Sequence, residues 1–332
     1  MTPIPSTAFV TGGSGFIGGA LIRRLVAEGS SVRALARSDR STAAVEAIGA
    51  EPVRGDLADP AAIRAGADGC EAAFHLAAHL GTWGSREEFM RDNVTGTRNA
   101  LAGCREAAVR RFVHCGTEAA LIAGEPLVEV DETAPLRPDS KALYPATKAL
   151  AEQAVRGASA DGFETVVLRP RFVWGVGDTT LLPGIMHMVG KGRFAWIGGG
   201  GQLTDTTHVE NVVEGLLLAA AEGRAGEAYF VTDGDRVVFR EFVSALIETQ
   251  GVKPPTRSVP AAVAGSLAAA AESTWRLLQL SGEPPITRFA VWISSQECTI
   301  KIDKARAELG YEPIKDRETG LAELRDAGLE GR

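Results

Sequence analysis

The chain is short of the residues from which several functional classes are built. Only four of its 332 residues are cysteine, at Cys70, Cys104, Cys115 and Cys298, and no CxxC pair occurs. That spacing excludes a disulfide scaffold and matches no metal site, so no metal is expected; it reads as buried, reduced thiols in a cytoplasmic protein. Basic charge is also scarce: 35 Lys and Arg stand against 42 Asp and Glu, a formal net charge of −7. No basic stripe is present to hold nucleic acid. Long apolar runs are missing. The nearest approach, VPAAVAGSLAAAA at 259–271, is mostly alanine and too short to span a bilayer. A buried helix is expected there, ahead of a helix lying along a membrane surface. The first residues, MTPIPSTAFV, lack a charged segment followed by an apolar one, so no signal peptide is expected.

What is present is ample apolar material, 45% of the chain, enough for one large domain or two fused ones. β-rich runs at 7–12, 31–36, 51–56, 71–78, 111–116 and 165–170 alternate with helical patterns, notably 15–29, 86–108 and 145–160. In 15–29, Ile17, Leu21 and Leu25 recur at helical spacing. This βαβ rhythm implies parallel strands with right-handed crossovers, helices covering both faces. After residue 170 the rhythm loosens into a loop-rich 171–204, then a helix at 207–223 and a strand at 227–234 return toward the sheet. Residues 1–170 plus 205–234 are therefore expected to form a dinucleotide-type domain. Residues 171–204 plus 235–332 would form a smaller, mostly helical substrate lobe.

VTGGSGFIG ends the first strand and opens the first helix, with Gly12, Gly15 and Gly18 spaced G-x-x-G-x-x-G. Glycines allow a tight turn and let a pyrophosphate approach backbone N–H groups at a helix N-terminus. The strand–turn–helix setting is the context such a motif requires. At the end of the second strand, where NAD-selective sheets usually carry an acid, the chain reads RALARSDR, with Ala36 and then Arg37. A missing carboxylate removes repulsion from a 2′-phosphate, and a guanidinium can pair with it. NADP(H) is the expected cofactor; if Arg37 is only a solvated strand-end charge, NAD serves as well. Asp56, ending the third strand, is placed to meet the adenine amino group.

LYPATKALAE at 143–152 puts Tyr144 and Lys148 one helical turn apart on one face. With Gly12–Gly18, the GDL at 55–57, HLAA at 75–78, Asn93, Thr117 after the fifth strand, RPRFVWG at 169–175 and DKARAELGYEP at 303–313, the pair occurs in an order that resembles the extended short-chain dehydrogenase/reductases. It is most similar to their 3β-hydroxysteroid dehydrogenase and dihydroflavonol reductase branch. The resemblance covers essentially the whole chain. It implies an α/β fold of Rossmann type, a doubly wound parallel sheet with a small C-terminal lobe, and in many members a homodimer through helices beside the sheet. It implies Tyr144 as general acid/base, Lys148 as the charge that, together with that of the oxidised nicotinamide, lowers the phenol's pKa and that also holds the nicotinamide ribose, and Thr117 as the hydroxyl that orients the substrate oxygen. The cofactor would also be lined by Ser14, Phe16, Ile17, Leu57, Leu76, Ala77, Ala78, Pro170, Phe172 and Val173. The substrate would meet His79, Trp83, Glu118 and Trp174. His75 is expected beneath the cofactor, Asn93 in a structural or relay role, and His79 and His208 also admit a structural reading.

The same scaffold serves reductases, sugar-nucleotide epimerases and dehydratases, and three departures bear on the choice. Family dehydratases place Asp then Glu after the catalytic threonine, whereas Glu118 and Ala119 stand here. Sugar-nucleotide members read RDxxHV, whose arginine grips a diphosphate; this chain reads TDTTHV, with Thr204 in that place, and the loss is not conservative chemistry. Asn211 replaces their acid and resembles the steroid branch. Trp83, Phe172, Trp174, Phe194 and Trp196 suit an apolar wall, although aromatics in a lobe also serve as core. The expected reaction is oxidation of a secondary alcohol, or reduction of its ketone, on an apolar, sterol-like small molecule. A sugar-nucleotide epimerase with retained NAD, or a non-catalytic NADP-sensing protein, are the alternatives. Sensing proteins of this fold commonly lose the Tyr–Lys pair.

Overall fold

The structure, a computed structural model, describes residues 4–330. Mostly apolar runs, buried on both faces at the centre and less so at the β2 and β3 edge, form the strands of one seven-stranded parallel sheet. In chain order they are β1 (Thr7–Thr11), β2 (Ser31–Ala36), β3 (Glu51–Arg54), β4 (Ala72–His75), β5 (Arg111–Cys115), β7 (Glu164–Pro170) and the later strand Ala228–Val231; β6 (Leu127–Val130) lies outside this sheet. The order across it is Ala228–Val231, β7, β5, β4, β1, β2, β3. The chain thus starts at the centre, winds to one edge, returns and winds to the other. The reversal between β1 and β4 opens a crevice at the strands' carboxyl ends, where doubly wound sheets bind ligands.

Helices α1 (Phe16–Ala27), α2 (Asp39–Glu46), α3 (Pro60–Ala67), α4 (Arg86–Phe89), α5 (Gly96–Glu106) and α6 (Leu143–Gly157) link the strands. A π-helical turn, Met90–Thr95, joins α4 to α5 and carries Asn93. α2 and α3 are short; they begin on the side-chain caps Ser38 and Asp59, which hold first-turn N–H groups that would otherwise lack partners.

The smaller lobe differs from the expected division in two places. β6, from within the first 170 residues, pairs with Cys298–Ile300 in a four-stranded sheet completed by Leu203–Thr204 and Val237–Val238. Ile302, Ala305, Leu309 and Tyr311 join the core of the large sheet instead of the lobe. The alanine-rich segment forms the helix Ala261–Leu277. It is not fully buried as expected: Ala264 and Ala268 pack inward while Val263 and Leu267 are exposed. Among the described residues no helix is long and apolar enough to cross a membrane.

Candidate active site

The glycine turn is built for close approach. Gly12 has a φ of 76°, and a Cβ on it would stand 2.6 Å from the Ala77 nitrogen. A Cβ on Gly18 would run into the Gly12 carbonyl. Any larger residue would push β1, α1 and the end of β4 apart. α1 begins on Gly15 with no side-chain cap and no acid in its first turn. Its first N–H groups, with the positive end of the helix dipole, face the crevice. Ser14 and Gly15 are exposed there, with Phe16, Ile17, Leu57 and Leu76–His79 half-buried around the crevice. Arg37 is exposed at the end of β2, with no interaction partner among the described residues, and Asp56 is exposed past β3. The residues present fit a dinucleotide.

Three of the expected catalytic groups come together at the end of β5. Thr117 follows that strand in extended conformation and caps a 3-10 turn, accepting the Ala119 N–H at 3.2 Å. Tyr144 opens α6 and lies against Thr117. Lys148, one turn on, is 3% exposed. Its ammonium donates to the Cys115 carbonyl at 3.0 Å and stands 3.4 Å from His114 Nε2. Burial lowers the lysine's pKa. Burial raises the Tyr144 pKa above its ordinary value, and the Glu118 charge raises it further.

His75, His114 and Asn93 are buried framework. His75 is buried; its Nδ1 meets Thr11 Oγ1 at 2.7 Å and its Nε2 meets Thr97 Oγ1 at 3.0 Å. Burial, aided by the Lys148 charge, takes its pKa down to about 3, so it stays neutral. It stacks on His114 at 5.2 Å. Asn93 clamps the end of β4 to α6: it accepts the His79 N–H at 2.6 Å and donates to the His79 carbonyl and to Thr147 Oγ1. His79 contacts Asp92 and Phe89. His208 caps the helix Val209–Glu222. Asn211 fastens the C-terminal segment through Ile314 and Lys315.

On the substrate side the structure rearranges the expected wall. Trp83 is half-buried, with the Arg276 guanidinium 5.3 Å from its ring, so the loop after β4 meets the helix Ala261–Leu277. Trp174 is 1% exposed; its indole N–H goes to Asp233 at 2.8 Å, and its ring packs edge-on to His208 and Phe242. It is core. Trp196 is likewise core, its N–H held by the Pro255 carbonyl. Phe172 and Val173 are half-buried and Pro170 is buried at the end of β7. Glu118 is buried in an ion pair with Arg171 at 2.6 Å, so it presents no carboxylate to a substrate. The apolar neighbour of Tyr144 is one the sequence did not single out: Phe289, with ring centroids 5.9 Å apart, in a cluster with Ile122, Ala142 and Trp292.

Comparisons with known proteins agree with this architecture. Residues 9–261 match the model of the 3-beta hydroxysteroid dehydrogenase/isomerase family. The chain is 47% identical to a 4-hydroxy-2-methyl-3-oxo-4-farnesyl-3,4-dihydroquinoline-1-oxide ketoreductase of Stigmatella aurantiaca, over 98% of this chain and 97% of that protein. It is 38% identical to a 2-alkyl-3-oxoalkanoate reductase of Stenotrophomonas maltophilia (strain K279a), over 95% and 97%. Among solved structures it resembles the dTDP-glucose 4,6-dehydratase DesIV of Streptomyces venezuelae, crystallised with NAD. The TM-score is 0.77 at 24% identity, covering 98% of each chain, a likeness of fold alone. The chain belongs to the 3-beta hydroxysteroid dehydrogenase/isomerase family, oxidoreductases of the extended short-chain dehydrogenase/reductase type.

Proposed function

We propose that this member of the 3-beta hydroxysteroid dehydrogenase/isomerase family is a cytoplasmic, homodimeric oxidoreductase. It interconverts a secondary alcohol and a ketone on a largely apolar small molecule, with NADP(H) preferred over NAD(H). One observation carries the reading: a half-buried tyrosine that meets a threonine hydroxyl on one side and the Phe289 ring on the other, one helical turn from a buried lysine. A phenol so placed has a polar partner for the reacting oxygen and an apolar surface for the carbon skeleton.

Tyr144 gives its proton to the ketone oxygen, or takes it from the alcohol. Lys148, fixed by the Cys115 carbonyl, would hold the nicotinamide ribose. The Gly12–Gly18 turn and the α1 N-terminus would hold the pyrophosphate, Asp56 the adenine amino group and Arg37 the 2′-phosphate. When bound, the cofactor supplies or accepts the hydride. The names of the two relatives, a ketoreductase of a farnesyl-bearing ring and a reductase of 2-alkyl-3-oxoalkanoates, support an apolar ketone. Thr204 speaks against a sugar nucleotide: it is buried and supplies no cation of its own to grip a diphosphate, and the Arg171 guanidinium that donates to it at 2.9 Å is buried and paired with Glu118.

The test is a titration with NADPH and NADH, followed by a panel of hydroxysteroids, aryl ketones and 2-alkyl-3-oxo acids read by nicotinamide absorbance. NADPH should bind more tightly, and at least one apolar ketone should turn over. Failure to bind either nucleotide, or turnover confined to sugar nucleotides without added cofactor, would overturn the reading.

A further inference from the structure

Glu118 directly follows Thr117, and its side chain is 6% exposed. One carboxylate oxygen takes Arg171 Nη1 at 2.6 Å; the other accepts the Thr117 hydroxyl at 2.8 Å. Arg171 is itself fixed, donating from Nε to Thr204 Oγ1 at 2.9 Å and lying 4.1 Å from the Phe172 ring centre. That stacking accompanies a φ of 37° at Phe172, a left-handed backbone that a bulky residue adopts only under constraint.

A hydroxyl has one proton and two lone pairs. The Thr117 proton is committed to Glu118, and one lone pair accepts the Ala119 N–H. A single lone pair is left for the crevice. In this arrangement Thr117 cannot donate to a ketone oxygen; it can accept from the Tyr144 phenol or from the O–H of an alcohol.

We propose that Glu118, anchored by Arg171, is a positioning residue that fixes Thr117 as a hydrogen-bond acceptor and so sets the site for ketone reduction, with Tyr144 as the proton donor. The inference deepens the oxidoreductase reading and rests on its assignment of Tyr144. In reduction the Tyr144 O–H bond breaks as the alcohol O–H forms, and that new O–H meets the free lone pair of Thr117. The carboxylate acts in the same direction by opposing phenolate formation. The other ionisable groups nearby are Cys115 of β5, which also disfavours the phenolate, and Lys148 of α6. On the far side of Glu118 stand Arg171, Cys298 and Asp205. Burial and the Arg171 pairing deny Glu118 the access to substrate that an elimination acid needs.

The test uses the three tyrosines of the chain. Ring-fluorinated tyrosine ionises at lower pH than tyrosine, and its 19F signal reports ionisation. Tyr144→Phe assigns the resonance, and Tyr229 and Tyr311 serve as folding controls. The Tyr144 midpoint is followed with and without NADP+ in the wild type and in Glu118→Gln. Removing the carboxylate should lower that midpoint by about one pH unit, a tenfold change in ionisation. Because the single variant strands Arg171, the Glu118→Gln/Arg171→Met double variant, which removes both charges, should show the same fall. An unchanged Tyr144 midpoint in a variant that keeps native Tyr229 and Tyr311 signals would overturn the proposal. Loss of those signals in both variants would also overturn it, making Glu118 a folding residue. The readout needs no substrate, so it stands apart from failure to find a reaction.

Discussion

Two arginines flank Pro170, and each is buried against a glutamate, yet the pairs do different things. Arg169 meets Glu152 of α6 through Nε at 3.1 and 3.0 Å and through Nη2, and it stacks over Phe230 at 5.0 Å. Both oxygens of Glu152 are spent on Arg169, so the pair ties α6 to the sheet and ends there. Arg171 takes one oxygen of Glu118 and leaves the other to Thr117. The same chemical couple is a tie in the core and a lever on the site; the difference lies in what the second oxygen touches. Fixing α6 also bears on function, because α6 carries Tyr144 and Lys148, but it does so through placement alone.

The comparison breaks most visibly at Glu152. Glu152→Gln strands a buried guanidinium, and denaturant melts should show a loss of about 3–5 kcal/mol. The Tyr144 titration midpoint should stay where it is; if it moves with the one at Glu118, the two pairs are not distinct in role. A third arginine sharpens the contrast from the other side. Arg37 has no carboxylate partner among the described residues and is placed for a phosphate. Arg37→Ser should weaken NADPH binding about tenfold, the worth of one charge-assisted contact at about 1.5 kcal/mol, and leave NADH nearly unchanged. Equal loss for both nucleotides would make Arg37 a general contact.

The last contrast is with a buried carboxylate without an arginine of its own. Asp205 accepts the Ile300 N–H at 2.7 Å, and burial pushes its pKa up to about 6 from 3.8. The folded chain therefore keeps a proton that the unfolded chain has released between about pH 4 and 6, and stability falls as pH rises through that window. Asp205→Asn should flatten this slope in denaturant melts across the range. A slope that survives the substitution would place its source elsewhere.

Much of the fold was legible because its strands are buried runs of short, apolar composition and its glycine turn has a conformational requirement. The seven strands of the large sheet lie where the alternating pattern put them. α2 and α3 were not singled out, since Ala and charge dominate them and their apolar faces are narrow. β6 and Cys298–Ile300 could not be paired from sequence, being about 170 residues apart with nothing local to mark the match. The same limit hid the Glu118–Arg171 pair, whose members are 53 residues apart. Glu118 read as a substrate contact because its neighbour Thr117 is one in the family pattern. Trp174 read as a pocket wall because an aromatic in a loop-rich segment looks alike whether it packs inward or outward. Phe289 carried no signal at all: only the approach of its helix to α6 makes it a neighbour of Tyr144.

The most direct test of the account is Tyr144→Phe, assayed with NADPH and the best ketone of the panel alongside a fluorescence titration of NADPH. Loss of the proton donor should cut turnover by about 100-fold or more while the nucleotide's Kd stays within about twofold. Turnover kept within a few-fold of wild type would contradict Tyr144 as the acid/base and leave only a nucleotide-binding fold.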